Sequence, residues 1–341
     1  MKGNPFHAWL LALSDPDGRR ALPSHPLAVG RWVALWERAD YHGVLPAAVA
    51  NARRILTTLG GDGLAAMEAS LPGVRNRLIG RAALSLAIRS QIRQIADEFQ
   101  AHAVPAAVLK GADFADRLYP DPSLRPFTDL DLLVPEQRVA EAEAAMSRLG
   151  YTPCEASMKY HGGYGERSWV RPNRREGTVE IHWNLVNSPT IRRGVSVAWE
   201  DLAFEDGPGT DDSLCRPTPP ARLLIAAVHA AASHGFDRLG PLHDVCLAAR
   251  RCESPADGQW LAQASRRTGA ELSLAVSLAL ARRLFDEPAC SRLQAAMRLP
   301  RRGAWSLLLT PGVVLRGHRR LDSPRRQLFR ELLKRRCRSC S

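Results

Sequence analysis

Apolar residues recur at three- and four-residue spacing over Val29–Arg38 and Pro46–Leu59. That period predicts amphipathic helices. From Asn76 to Ala101 the pattern continues through Leu78, Ile79, Ala82, Leu86, Ile88, Ile92, Ile95 and Phe99. No Gly or Pro interrupts it after Gly80, so one long helix is predicted. The period then changes. Ala106-Ala107-Val108-Leu109 reads as a short strand ending at Lys110-Gly111, and Asp113–Leu118 as a helix leaving that turn. Pro120, Pro122 and Pro126 mark a loop, because proline disfavours a helix interior. Leu130–Val134 is the next strand. Pro135 starts a helix over Glu136–Leu149, and Gly150 ends it. Tyr151–Cys154, Gly165–Val170 and Thr178–Trp183 predict further strands. Residues 194–220 are rich in Gly, Pro and Asp and read as a linker. Helical spacing returns over Ala221–Ser233, Pro241–Arg251, Gly258–Thr268 and Glu271–Phe285, and Ser323-Pro324 is a good start for a last helix. No internal repeat is visible. The expected fold is α+β, a small mixed sheet over residues 102–193. An N-terminal helical region, 1–101, and a C-terminal helical domain with a basic tail, 194–341, would flank it.

Composition narrows the class. A chain of 341 residues, 45% of them apolar, is long enough for two or three domains around a well-buried core. The apolar patch His7–Leu13 lacks an Ala-x-Ala-like cleavage site, so no signal peptide is expected. Ala304–Leu315 is broken by Pro311 and Gly312 and is too short to span a bilayer. Seven scattered cysteines fit a reducing compartment, and a cytoplasmic location is the default. The C-x-x-C of Cys337 and Cys340 has no second pair, so neither zinc nor redox chemistry is expected there.

Charge changes the picture at one end. The net charge is +12, and the segment from Arg301 onward carries +10 of it. The remaining chain is nearly neutral. Over the last helix, Leu328, Phe329, Leu332 and Leu333 form an apolar stripe flanked by Arg325, Arg326, Arg330, Lys334 and Arg335. Two readings are open. The arginines face outward and meet a nucleic acid, an acidic partner or anionic lipid, or the stripe completes the helical domain beside a solvated face.

The candidate chemistry lies at the sheet. Asp129 and Asp131 are two apart in an apolar run, so a strand projects both carboxylates from one face. Adjacent acids repel unless a cation lies between them, and hard oxygen ligands suit Mg²⁺ or Mn²⁺. Glu180 on a later strand is the candidate third carboxylate, to hold a second metal or take the nucleophile's proton. Lys110, with Gly111 letting the backbone approach and a helix N-terminus following, suits a phosphate. Arg125 either neutralises a transferring phosphoryl group or pairs with Asp121 or Asp129 to shape the loop. His182 shares Glu180's face and reads as a packing or hydrogen-bonded histidine. His229 and His234 are five apart, which does not align on an α-helix, so zinc is not expected. His234, Arg238 and Asp244 read as residues docking the helical domain on the sheet, some facing the cleft. No serine-hydrolase elbow, P-loop or Rossmann fingerprint is present.

Leu109-Lys110-Gly111, Leu118-Tyr119-Pro120-Asp121, Leu124-Arg125-Pro126 and Asp129-Leu130-Asp131-Leu132-Leu133-Val134 together resemble the bacterial nucleotidyltransferase-like proteins of the polymerase-beta superfamily. Val179-Glu180-Ile181-His182-Trp183 resembles that family's third acidic strand, with Glu where Asp is commoner. His234-Gly235-Phe236-Asp237-Arg238-Leu239 and Leu242-His243-Asp244 resemble its C-terminal helical motif, and Asp40-Tyr41-His42-Gly43-Val44-Leu45-Pro46 an N-terminal helical segment. Lys-Gly replaces the superfamily's Gly-Ser turn, at a longer distance from the acids. The resemblance, over roughly residues 30 to 250, implies Mg²⁺-dependent or Mn²⁺-dependent transfer of a nucleoside monophosphate from an NTP to an unidentified acceptor: RNA, protein or small molecule. Asp129, Asp131 and Glu180 would be catalytic and metal-binding, and Lys110, Gly111 and Arg125 would hold the nucleotide. The alternative is a catalytically weak nucleotide- or RNA-binding module acting with a partner.

Overall fold

Alternation in the middle third of the chain resolves into one mixed sheet. In the computed structural model its strands are β1 (Ala107–Val108), β2 (Asp129–Leu133), β3 (Thr152–Pro153), β4 (Glu166–Val170) and β5 (Thr178–His182). The structure describes residues 4–25, 27–59, 64–154, 163–172, 176–205, 214–317 and 323–335. Cys337 and Cys340 lie outside them, as do parts of the predicted linker and basic tail.

The strand order is β1-β2-β5-β4-β3. β2 and β5 are parallel, with Asp131 paired to Glu180 and Leu133 to His182. The other pairings are antiparallel, and β4 sets Glu166 opposite His182. Paired residues project to the same face, so this register gathers the polar residues of three strands. The opposite face carries Leu130, Leu132, Val179, Ile181 and Trp169, all buried. The helix Arg75–Ala101 covers that face with Ile88, Ile92, Ile95 and Phe99, and the helix Val139–Arg148 with Ala142, Ala145 and Met146. The predicted helix at 76–101 is therefore one continuous element.

A second core joins helices from both ends of the chain. Trp9, Trp32, Trp36 and Leu45 from the N-terminal helices share it with Leu223, Leu242, Leu274 and Leu278 from the C-terminal ones. The sheet contributes Leu109 and Leu133, and the short helix Ala112–Leu118 contributes Phe114 and Leu118. The acidic face of the sheet therefore looks toward the helical regions, and a cleft lies between them. Among the described residues, no helix is long and apolar enough to cross a membrane.

Two expectations are corrected at the C-terminus. The helix Pro324–Lys334 buries Phe329 and Leu333 in the main core, while Leu328 is 55% exposed. Arg326, read as a flanking outward arginine, is fully buried. Its guanidinium donates to the carbonyls of Gly235 (3.1 Å), Phe236 (3.3 Å) and Val313 (3.0 Å). Three fixed carbonyl dipoles replace part of the water that a buried cation would otherwise have, and Nη1 is left without a hydrogen-bond partner. This helix completes the helical region.

Candidate active site

Asp129 and Asp131 open β2 and point to the polar face. Asp131 is almost completely buried, and its Oδ1 accepts from Lys110 Nζ at 3.0 Å and faces His182 Nε2 at 3.0 Å. His182 Nε2 is also 3.5 Å from Glu180 Oε2, and its Nδ1 is 3.3 Å from Glu166 Oε2. Asp131, Glu180 and His182 offer ligand atoms that all lie within 4.8 Å of one another, a group able to hold a metal ion.

The electrostatics point the same way. Burial alone raises Asp131, but the charges of Lys110 and His182 and their hydrogen bonds hold it well below the usual carboxylate range. Burial also opposes the charge on His182, yet its bonds to Asp131 and Glu180 and the nearby Glu166 push it up to about 10. Lys110 is raised in the same manner: burial opposes its charge, and Asp131, Asp129 and Glu180 outweigh it. Asp129 is raised by burial first and then by the negative charge of Asp131, as is Glu166 by burial. Four carboxylates thus face two cations, Lys110 and protonated His182. This face carries two uncompensated negative charges when all four acids ionise, which is the charge of one divalent ion. Asp131 Oδ2 is buried and has no hydrogen-bond partner. An orphaned buried carboxylate oxygen among acids fits a hard cation.

Lys110 reaches Asp131 because Gly111 turns the chain. Gly111 has φ +57°, a region that side chains disfavour, and it leads into the helix Ala112–Leu118. A Cβ there would sit 3.6 Å from the Asp129 carbonyl and from Phe127 Cβ, so backbone conformation and not space selects glycine.

Arg125 does not pair with Asp121 or Asp129. Its Nε and Nη2 donate to the two carboxylate oxygens of Asp244, each at 2.8 Å, and its Nη1 to the Gly111 carbonyl at 3.1 Å. Tyr119 donates its hydroxyl to Asp244 Oδ1 at 2.9 Å. This buried clamp fastens the loop before β2 to the helix Gly240–Arg251. Burial opposes the guanidinium charge, and Asp244 more than restores it.

The cleft between sheet and helices is about 250 Å³. Lys110, Gly111, Arg125 and Asp129 line one wall, and His229, His234, Arg238 and Asp244 line the other. Asp131, Glu180 and His182 share the sheet face of Asp129 and lie outside the residues that line this cleft. Contact between His229 and His234 corrects the spacing argument. Residues 229–233 form a π-helical turn, whose wider winding brings residues five apart together. Their rings meet edge to face at 4.6 Å.

His182 is hydrogen-bonded on Glu180's strand face, as the period-two rule predicts, and its bond to Asp131 places it in the site itself. Glu166 had no local signal, because only the β4–β5 register brings it in.

Comparison with known families agrees with this geometry. The profile of an uncharacterised nucleotidyltransferase family matches residues 29–286, so the chain belongs to that family. Comparison with curated proteins finds no match.

Proposed function

We propose that this nucleotidyltransferase-family chain moves a nucleoside monophosphate from an NTP to an acceptor hydroxyl, releasing pyrophosphate. Asp129, Asp131 and Glu180 would hold Mg²⁺ or Mn²⁺, with Asp131 offering its orphaned Oδ2. When bound, the ions would polarise the triphosphate and lower the acceptor's pKa. His182 orients Asp131 through its hydrogen bond to Oδ1. Lys110 would exchange Asp131 for a phosphate, with Gly111 leaving the backbone open beside it. Arg125, fixed by Asp244, sets the cleft wall and presents positive charge to the phosphates. The observation that carries this reading is the convergence of the Asp131 and Glu180 carboxylates, with the unpartnered Oδ2 of Asp131, on one sheet face in a nucleotidyltransferase-family chain.

The test is incubation with each α-labelled NTP, Mg²⁺ and a cell extract. Wild type should label an acceptor and release pyrophosphate, and Asp131→Asn should not. Labelling from the γ-phosphate alone, or equal labelling by the variant, would overturn it. The noncatalytic binding alternative predicts triphosphate binding without labelled product.

A further inference from the structure

Attack by a hydroxyl leaves a proton to be removed. On the sheet face Glu180 contacts His182 and Asp131 Oδ1 is shared by Lys110 and His182, while Asp131 Oδ2 and Asp129 would be taken by the metal in the transfer reading. The opposite wall carries a different arrangement. His234 Nδ1 lies 3.2 Å from Asp237 Oδ1, and the His234 side chain is partly exposed at the cleft. The contact is an ion-pair distance and not a formed hydrogen bond, since Asp237 Oδ1 is buried without a hydrogen-bond partner. A carboxylate there favours the proton on Nδ1 and leaves Nε2 as the basic nitrogen.

The backbone carrying this pair is specialised. The π-helical turn of residues 229–233 ends at His234, and Gly235 (φ +55°) and Phe236 (φ +60°) follow in the left-handed region. A buried phenylalanine disfavours that conformation and persists only where its surroundings fix it. Here Phe236 N donates to the Ala230 carbonyl at 3.0 Å, and the Arg326 guanidinium donates to the Gly235 and Phe236 carbonyls as well as to that of Val313. Arg326 lies beyond the family-matched residues 29–286, so a buried cation from the last described helix locks the turn that presents His234.

We propose that His234, oriented by Asp237, is the catalytic base that accepts the proton of the acceptor hydroxyl. This rests on the nucleotidyl-transfer reading. The acceptor oxygen bonds to the α-phosphorus as the bond from that phosphorus to the bridging oxygen breaks. Pyrophosphate leaves with the electron pair, and the hydroxyl proton passes to His234 Nε2. Asp237 is a positioning residue. His229 supports the arrangement: burial first, then the charges of Lys110, His234 and Arg125, hold it well below the usual imidazole range, so it packs against His234 as a neutral ring. The charged and titratable groups around the pair are His229, Arg238, Tyr41, His42 and Arg326, with Lys110 across the cleft.

The experiment measures incorporation from a mixture of the four α-labelled NTPs into a cell extract, with Mn²⁺, as a function of pH. Calorimetry with Mn²⁺ and a non-hydrolysable triphosphate runs in parallel. His234→Gln should bind the triphosphate as wild type does and lose about 100-fold in rate. Its acid limb should disappear, and Asp237→Asn, which loosens the imidazole's orientation, should lower the rate while leaving triphosphate affinity unchanged. Added imidazole should restore His234→Ala by about tenfold. Wild-type rates in His234→Gln, or an unchanged acid limb with no imidazole rescue, would overturn the assignment while the transfer reading stands. A wild type that incorporates no label would remove both.

Discussion

Removing the carboxylate of Asp244 should unfasten the cleft. Asp244 receives two guanidinium bonds from Arg125 and one hydroxyl bond from Tyr119, and the Arg125 and Asp244 side chains are only 11% and 3% exposed. Asp244→Ala therefore strands a buried cation and a buried hydroxyl. Breaking a buried pair from one side costs about 3–5 kcal/mol, so about 4 kcal/mol is expected. At this chain length that is a fall in Tm of about 6 °C. Replacing both partners by apolar residues, Arg125→Met with Asp244→Leu, should recover about half of the loss, because no charge is left unpaired. The assay is a double-mutant cycle by urea unfolding, with triphosphate binding measured on each variant. The clamp also ties the loop before β2 to the helix Gly240–Arg251, so Asp244→Ala should weaken triphosphate binding as well. Single variants that each cost under about 1 kcal/mol and simply add would refute the reasoning.

Lys110→Ala should weaken binding of a non-hydrolysable triphosphate about tenfold and leave Mn²⁺ affinity unchanged or higher, because Lys110 occupies Asp131 in the absence of an ion; calorimetry reads both. Phe329→Ala should destabilise by about 3–5 kcal/mol in a thermal or urea melt, since the last described helix is part of the core; an unchanged melt would return it to the solvated-tail reading. Stability in chelator should depend on pH in two windows. His42 and His243 have values lowered by burial to about 3 and about 4, so the unfolded chain binds more protons below 6.5 and stability falls with falling pH, by about 2 kcal/mol per imidazole at pH 5. His182, raised to about 10, acts in the opposite sense: its contribution is complete below 6.5 and is lost as pH rises toward 10, and His182→Gln should remove that alkaline slope from Tm against pH.

Local periodicity made much of this legible. Asp129 and Asp131 share a face because a strand alternates, and Lys110-Gly111 marks a turn because glycine reaches positive φ. Long-range register was not legible. Nothing near Glu166 announces that β4 will set it opposite His182, and nothing near Arg125 names a partner 119 residues away. Arg326 was misread for a related reason. A basic residue beside an apolar stripe reads as solvated, and only the turn at Gly235-Phe236 supplies the carbonyls that let it be buried. The His229–His234 contact needed a π-turn, which side-chain spacing on an α-helix does not suggest.

The most direct measurement is a crystal structure of the protein grown with Mn²⁺ and a non-hydrolysable triphosphate, read by anomalous difference density. Predicted is a manganese peak bounded by Asp129, Asp131 and Glu180, with Lys110 Nζ moved from Asp131 to a phosphate oxygen. A triphosphate bound with no peak at those carboxylates, and with the Lys110–Asp131 ion pair intact, would contradict it.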